Sequence, residues 1–105
     1  AASPAASGGA AGTVIALTAQ NIAFDKTDLT APAGVPFQIA FTNNDAGIPH
    51  NVVIHKDSPT GAVVFQGTIF SGVATQTYNV PALPAGTYAF ACGVHPNMTG
   101  TLTVK

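Results

Sequence analysis

Charge is what this sequence has least of. Charged residues fill 7% of its 105 positions, against roughly 25% in a typical domain. Arginine and glutamate are absent; Lys26, Lys56 and Lys105 stand against Asp25, Asp28, Asp45 and Asp57, for a net charge of -1. The lack of a basic cluster argues against nucleic acid as a partner and against strong electrostatic steering of any partner. No apolar run approaches the ~20 residues that span a bilayer as a helix. With one cysteine there is no intramolecular disulfide, and the compartment stays open on that count. No amphipathic helical repeat of useful length and no internal repeat occurs.

What remains is apolar, at 47%, and patterned. Residues 1–12 are Ala, Ser, Gly and one Pro, the composition of a flexible leader or linker. They lack the basic start and apolar middle of a signal peptide; an untidy terminus and a tether to a membrane anchor or second domain both fit. From Thr13 to Lys105 one domain is expected, made of short strands and turns. Thr13–Thr18 is apolar and β-branched, and Ile22–Phe24 is a short apolar run before the polar turn Asp25–Asp28. Phe37, Ile39 and Phe41 alternate with Gln38, Ala40 and Thr42, a strand with one buried face. His50–His55 reads as another strand, with His50, Val52 and Ile54 on one face and Asn51, Val53 and His55 on the other. Gly67–Ala74 reads as an irregular crossing. Thr75–Val80, Tyr88–Cys92 and Thr101–Val104 complete the set. Seven to eight strands at this spacing predict an all-β Greek-key sandwich or barrel.

Chemistry concentrates in Cys92-Gly93-Val94-His95-Pro96-Asn97-Met98, which holds the only cysteine and the only methionine. Intervals of three allow Cys92, His95 and Met98 to converge on a tight turn. His50, inward at the start of its strand, completes a set of one thiolate, two imidazoles and one thioether if the two strands are neighbours. Such soft N/S ligation suits copper in both oxidation states. Taken singly, each residue has a plainer role: a cysteine or methionine as core filler, a histidine as a satisfied strand residue. His55, beside Lys56 and Asp57, is expected to be a solvent-exposed histidine.

Over residues 13–105 the sequence resembles the cupredoxins, small type 1 (blue) copper proteins. Pro49-His50-Asn51-Val52 is similar to their upstream ligand segment, and Gly86 through Gly100 to their C-terminal ligand loop. The short Cys-x2-His-x2-Met loop looks most like that of the amicyanin members; plastocyanin-like members are similar but place two more residues between the second His and Met. The resemblance implies one copper ion held in a trigonal set by His50, Cys92 and His95, with Met98 weak and axial. A binuclear copper centre would need a second cysteine where Tyr88 stands, and a red copper site would need a glutamate. The resemblance further implies one-electron transfer between redox partners, such as a c-type cytochrome or a membrane redox complex, docking near His95. A monomer in the periplasm or another extracytoplasmic space, with no enzymatic activity, follows from the same likeness. Copper storage or delivery is the alternative, and a Cys92–His95 hydrolase a third reading in which Met98 and His50 have no part. In the family, Asn51 ties the two ligand segments together, and Tyr88 is expected to bond a backbone group in a tyrosine corner. Val94 stands where related loops carry proline, so its N–H is expected to donate to the Cys92 sulfur and raise the reduction potential.

Overall fold

A computed structural model describes residues 13–105; the expected leader, residues 1–12, lies outside the described residues. Ten β-strands follow in order: β1 Val14–Ala19, β2 Asp28–Ala31, β3 Phe37–Asn43, β4 Pro49–His50, β5 Val53–Lys56, β6 Val63–Gln66, β7 Phe70–Ser71, β8 Ala74–Val80, β9 Gly86–Ala91 and β10 Thr99–Val104. Eight of them are four residues or longer, and no helix occurs among the described residues.

They form two main sheets, β1-β3-β8 and β2-β10-β9-β5-β6, and a small ribbon, β4-β7. β1 runs parallel to β3 and β2 parallel to β10, while the other ladders are antiparallel. Parallel neighbours cannot be joined by a tight hairpin; β1 and β3 are linked through β2, which lies in the other sheet. The alternation in Phe37–Asn43 works as expected: every second residue of β3 is buried, and Ile39 and Phe37 face Tyr78 and Val80 across the ladder. From the other sheet Leu29, Ile54, Tyr88, Phe90 and Leu102 fill the same core. Burying each such side chain is worth about 1.5–3 kcal/mol. Edge-to-face aromatic contacts bind the layers, with Phe24 5.2 Å from Phe90 and 6.1 Å from Phe41 between ring centroids.

Three local expectations are corrected. The polar turn after Phe24 is shorter than expected, and its last residue, Asp28, opens β2, paired in register with β10. The stretch His50–His55 is two strands, because the chain changes sheets at Asn51 and Val52. β4 pairs with β7 and β5 with β9, so residues 50–54 are all buried rather than alternating. Gly67–Ala74 is not wholly irregular: β7 within it is the strand that covers β4.

Candidate metal centre

Two stretches meet at one end of the sandwich. The first runs from the end of β3 to His50, and side-chain bonds fix its path. Asn43, fully buried, donates from Nδ2 to the carbonyls of Ile48 (2.8 Å) and Phe70 (2.9 Å), and its Oδ1 accepts the amide of Asp45 at 2.9 Å. One side chain therefore pins both flanks of the turn before His50. The second stretch joins β9 to β10, whose last ladder pair is Ala91 and Thr99. Between them the Cys92 amide donates to the Met98 carbonyl and the Met98 amide to the His95 carbonyl, each at 3.0 Å. These two bonds fold the seven-residue connection onto itself, so spacing by three becomes proximity.

Asn51 fastens the stretches together. Its side chain is fully buried; Oδ1 accepts the Gly93 amide at 2.7 Å, and Nδ2 donates to the Gly67 carbonyl at 3.0 Å. Glycine suits position 93, because a Cβ there would lie 3.2 Å from Asn51 Oδ1 and 3.4 Å from Val53 Cγ2.

The result is a compact donor cluster. Cys92 Sγ lies 3.7 Å from His50 Nδ1 and 3.8 Å from His95 Nδ1. The donor atoms of His50, Cys92 and His95 all lie within 4.8 Å of one another, and the two imidazole centroids are 4.8 Å apart. Typical metal bonds of about 2.3 Å to sulfur and about 2.0 Å to nitrogen, opened to a trigonal angle, separate sulfur and nitrogen by about 3.7 Å. The two sulfur-to-nitrogen distances are therefore compatible with one central ion. His50 and Cys92 are buried, and His95 is half-buried. Met98, also buried, closes the loop through its amide. Among the described residues, the polar contacts of Sγ are the two imidazole nitrogens; the expected bond from the Val94 amide is not one of them.

His50 has a second partner that its sequence context did not reveal. Its Nε2 lies 2.7 Å from Asp45 Oδ2. Asp45 is buried at 8% exposure and also accepts the amides of Asn21 (2.7 Å) and Ile22 (2.9 Å). The Ile22 amide foremost, then His50, hold its carboxyl below the usual carboxylate range, with burial opposing them. In sequence, the one available signal was an acid five residues before a candidate ligand, within Asn43-Asn44-Asp45.

The other singled-out residues lie apart from the cluster. Tyr88, inward-facing, donates from its hydroxyl to the Pro84 carbonyl at 2.7 Å, as a tyrosine corner does. His55 is half-buried rather than exposed, with Nδ1 3.0 Å from the Gly61 carbonyl; a register shift between Ile54 and His55 turns it toward the β5–β6 connection.

A family model described as a cupredoxin-like domain matches residues 1–104. The chain belongs to the cupredoxin family. This cupredoxin is 37% identical over 92 residues to the chloroplastic plastocyanin minor isoform of Arabidopsis thaliana, covering 81% of the chain and about half, 52%, of that protein's length. It is 36% identical to the plastocyanin of Capsella bursa-pastoris, covering 81% of the chain and 90% of that protein. Among solved structures, auracyanin A of Chloroflexus aurantiacus, described as a "blue" copper protein, superposes with a TM-score of 0.75 at 26% identity, over 89% of this chain and 98% of that one. Amicyanin of Paracoccus versutus gives 0.65 at 25% identity, over 88% and 81%.

Proposed function

We propose that this cupredoxin is a one-electron carrier in which His50, Cys92, His95 and Met98 hold a single copper ion. The observation that carries this reading is the placement of Cys92 Sγ 3.7 and 3.8 Å from two imidazole nitrogens. Thiolate and imidazole are the donors that blue-copper electron-transfer sites combine, with a long, weak methionine as axial ligand. The likeness to plastocyanins and to a "blue" copper protein supports the same ion. When bound, copper would supply the Cu(II)/Cu(I) couple.

The chain's own part is to hold four donors still while charge changes among them. Asn51 and the two backbone bonds of the 92–98 connection resist rearrangement of the loop. The cluster is buried except at His95, so His95 is the route by which electrons enter and leave. Val94, at 37% exposure, and Pro96 flank it, and with Ile48 and Pro49 they offer an apolar docking rim. Contacts of this kind with a redox protein, such as a c-type cytochrome or a membrane redox complex, are small, below roughly 1,200 Å². An extracytoplasmic location and a non-enzymatic role accord with this reading.

Adding Cu(II) to the metal-free protein is expected to produce intense charge-transfer absorption in the red and a small copper hyperfine splitting by electron paramagnetic resonance. Cys92→Ser is expected to abolish both. A colourless adduct of the parent protein would overturn the reading, and ready loss of copper(I) to a weak chelator would favour delivery over electron transfer.

A further inference from the structure

We infer that Asp45 is a positioning residue for the metal centre: its carboxylate fixes the tautomer and orientation of His50, makes that imidazole a stronger electron donor and so favours the oxidised state of the bound ion. The inference rests on the copper reading given above and names a residue through which the site is tuned.

An ionised carboxylate only accepts hydrogen bonds. At 2.7 Å from Asp45 Oδ2, the Nε2 of His50 therefore carries the ring hydrogen. Nδ1, the nitrogen 3.7 Å from Cys92 Sγ, is left with a free lone pair directed at the cluster. The His50 side chain is fully buried and that of Asp45 nearly so, so water does not compete for this bond. A carboxylate behind a ligating imidazole makes it a better donor. The added electron density stabilises the higher oxidation state of a metal more than the lower.

Asp45 is itself held rigidly. Its two oxygens receive three donors: Asn21 N–H on Oδ1, and Ile22 N–H and His50 Nε2–H on Oδ2. Its own amide is fixed by Asn43. The Asn21–Ile22 turn is unusual, with φ of 56° and 55° in two residues that are not glycine. For a β-branched residue such as Ile22 this is an outlier, of the kind that persists where the surroundings over-determine it. The left-handed turn aims two successive amides at one carboxylate, so the β1–β2 connection acts on the metal centre without touching it.

Asparagine at position 45 removes the charge and cannot serve all three donors. With its oxygen toward Ile22 and His50, its Nδ2 faces the Asn21 amide, donor against donor. The test compares the parent, Asp45→Asn and Asp45→Glu, each metal-free and loaded with copper. In the metal-free proteins, nitrogen-15 NMR of the histidine rings is expected to show His50 as a single Nε2–H tautomer with a slowly exchanging proton in the parent. Asp45→Asn is expected to show a tautomer mixture or rapid exchange. In the loaded proteins, Asp45→Asn is expected to bind copper(II) about 10–100-fold more weakly and to lose about tenfold in its preference for copper(II) over copper(I). For one electron that loss is a potential about 59 mV higher. Asp45→Glu, which keeps the charge, is expected to lie nearer the parent in potential.

A purely structural role would lower the melting temperature while leaving the tautomer and the potential alone, and that result would overturn the inference. An intact red absorption band in Asp45→Asn with an unshifted potential would overturn it while leaving the copper reading in place. Absence of the band in the parent would overturn both.

Discussion

Replacing Asn51 by alanine tests how the two ligand segments are held together. The side chain is fully buried and bonds two backbone groups, the Gly93 amide and the Gly67 carbonyl. Leaving a buried polar group unpaired costs about 1–3 kcal/mol. Gly93 is exposed and Gly67 buried, so water can rehydrate the first group but not the second. About 1 kcal/mol for Gly93 and about 2 kcal/mol for Gly67 give a loss of about 3 kcal/mol. That is a large share of the 5–15 kcal/mol by which a domain is usually stable. In urea, with an m-value of about 1.5 kcal/mol/M, the midpoint of the metal-free protein should fall by about 2 M with the slope unchanged. Asn97→Ala, a change at an exposed loop position, should stay within about 0.5 kcal/mol of the parent. A midpoint for Asn51→Ala within about 0.3 M of the parent, equivalent to about 0.5 kcal/mol on that slope, would refute the claim that this side chain joins the segments.

Two further outcomes are expected. Burial, and secondarily the charge at Cys92, push the Tyr78 hydroxyl above its ordinary value of 10.0. The unfolded chain ionises first, so the stability that Tyr78 contributes is complete below pH 10 and is lost as pH rises beyond it. Tyr78→Phe removes the 2.6 Å bond to the Thr68 carbonyl and should cost about 1 kcal/mol at neutral pH. Its denaturation midpoint should fall less steeply than the parent's above pH 10, and parallel alkaline limbs would contradict the assignment. Docking through an apolar rim on a chain of net charge -1 predicts stopped-flow electron transfer with a donor cytochrome that changes little with ionic strength. A rate falling steeply with added salt would show that charge governs the encounter.

The candidate donors stood out because their chemistry is local. Cys92, His95 and Met98 lie in one loop at intervals of three, and rare residues in a charge-poor chain stand out. Strand alternation likewise marked the buried face of β3. The stretch after His50 was misread for a physical reason. Residues buried from two different sheets leave no alternation to follow, and the β4-to-β5 break at Asn51 shows only when β7 and β9 are in place. His55 was misplaced by a register shift at the β5–β6 ladder, which no local pattern marks. The Val94 amide was expected at the sulfur because its N–H is present; direction decides such a bond, and loop composition carries no direction.

By itself the sequence determined the all-β fold class and marked His50, Cys92, His95 and Met98 as candidate donors, because hydrophobic period and ligand chemistry are properties of residue type and order. The tertiary structure alone decided that His50 lies beside Cys92, 42 positions away, at a separation fit for one ion. It also placed Asp45 behind that histidine, held by two amides from the β1–β2 connection. Proximity across sheets depends on crossovers and registers set by the whole core, and a carboxylate's partners depend on where those crossovers leave it. A residue that reads as one more loop acid in the chain thereby becomes, in three dimensions, the neighbour of a candidate metal ligand.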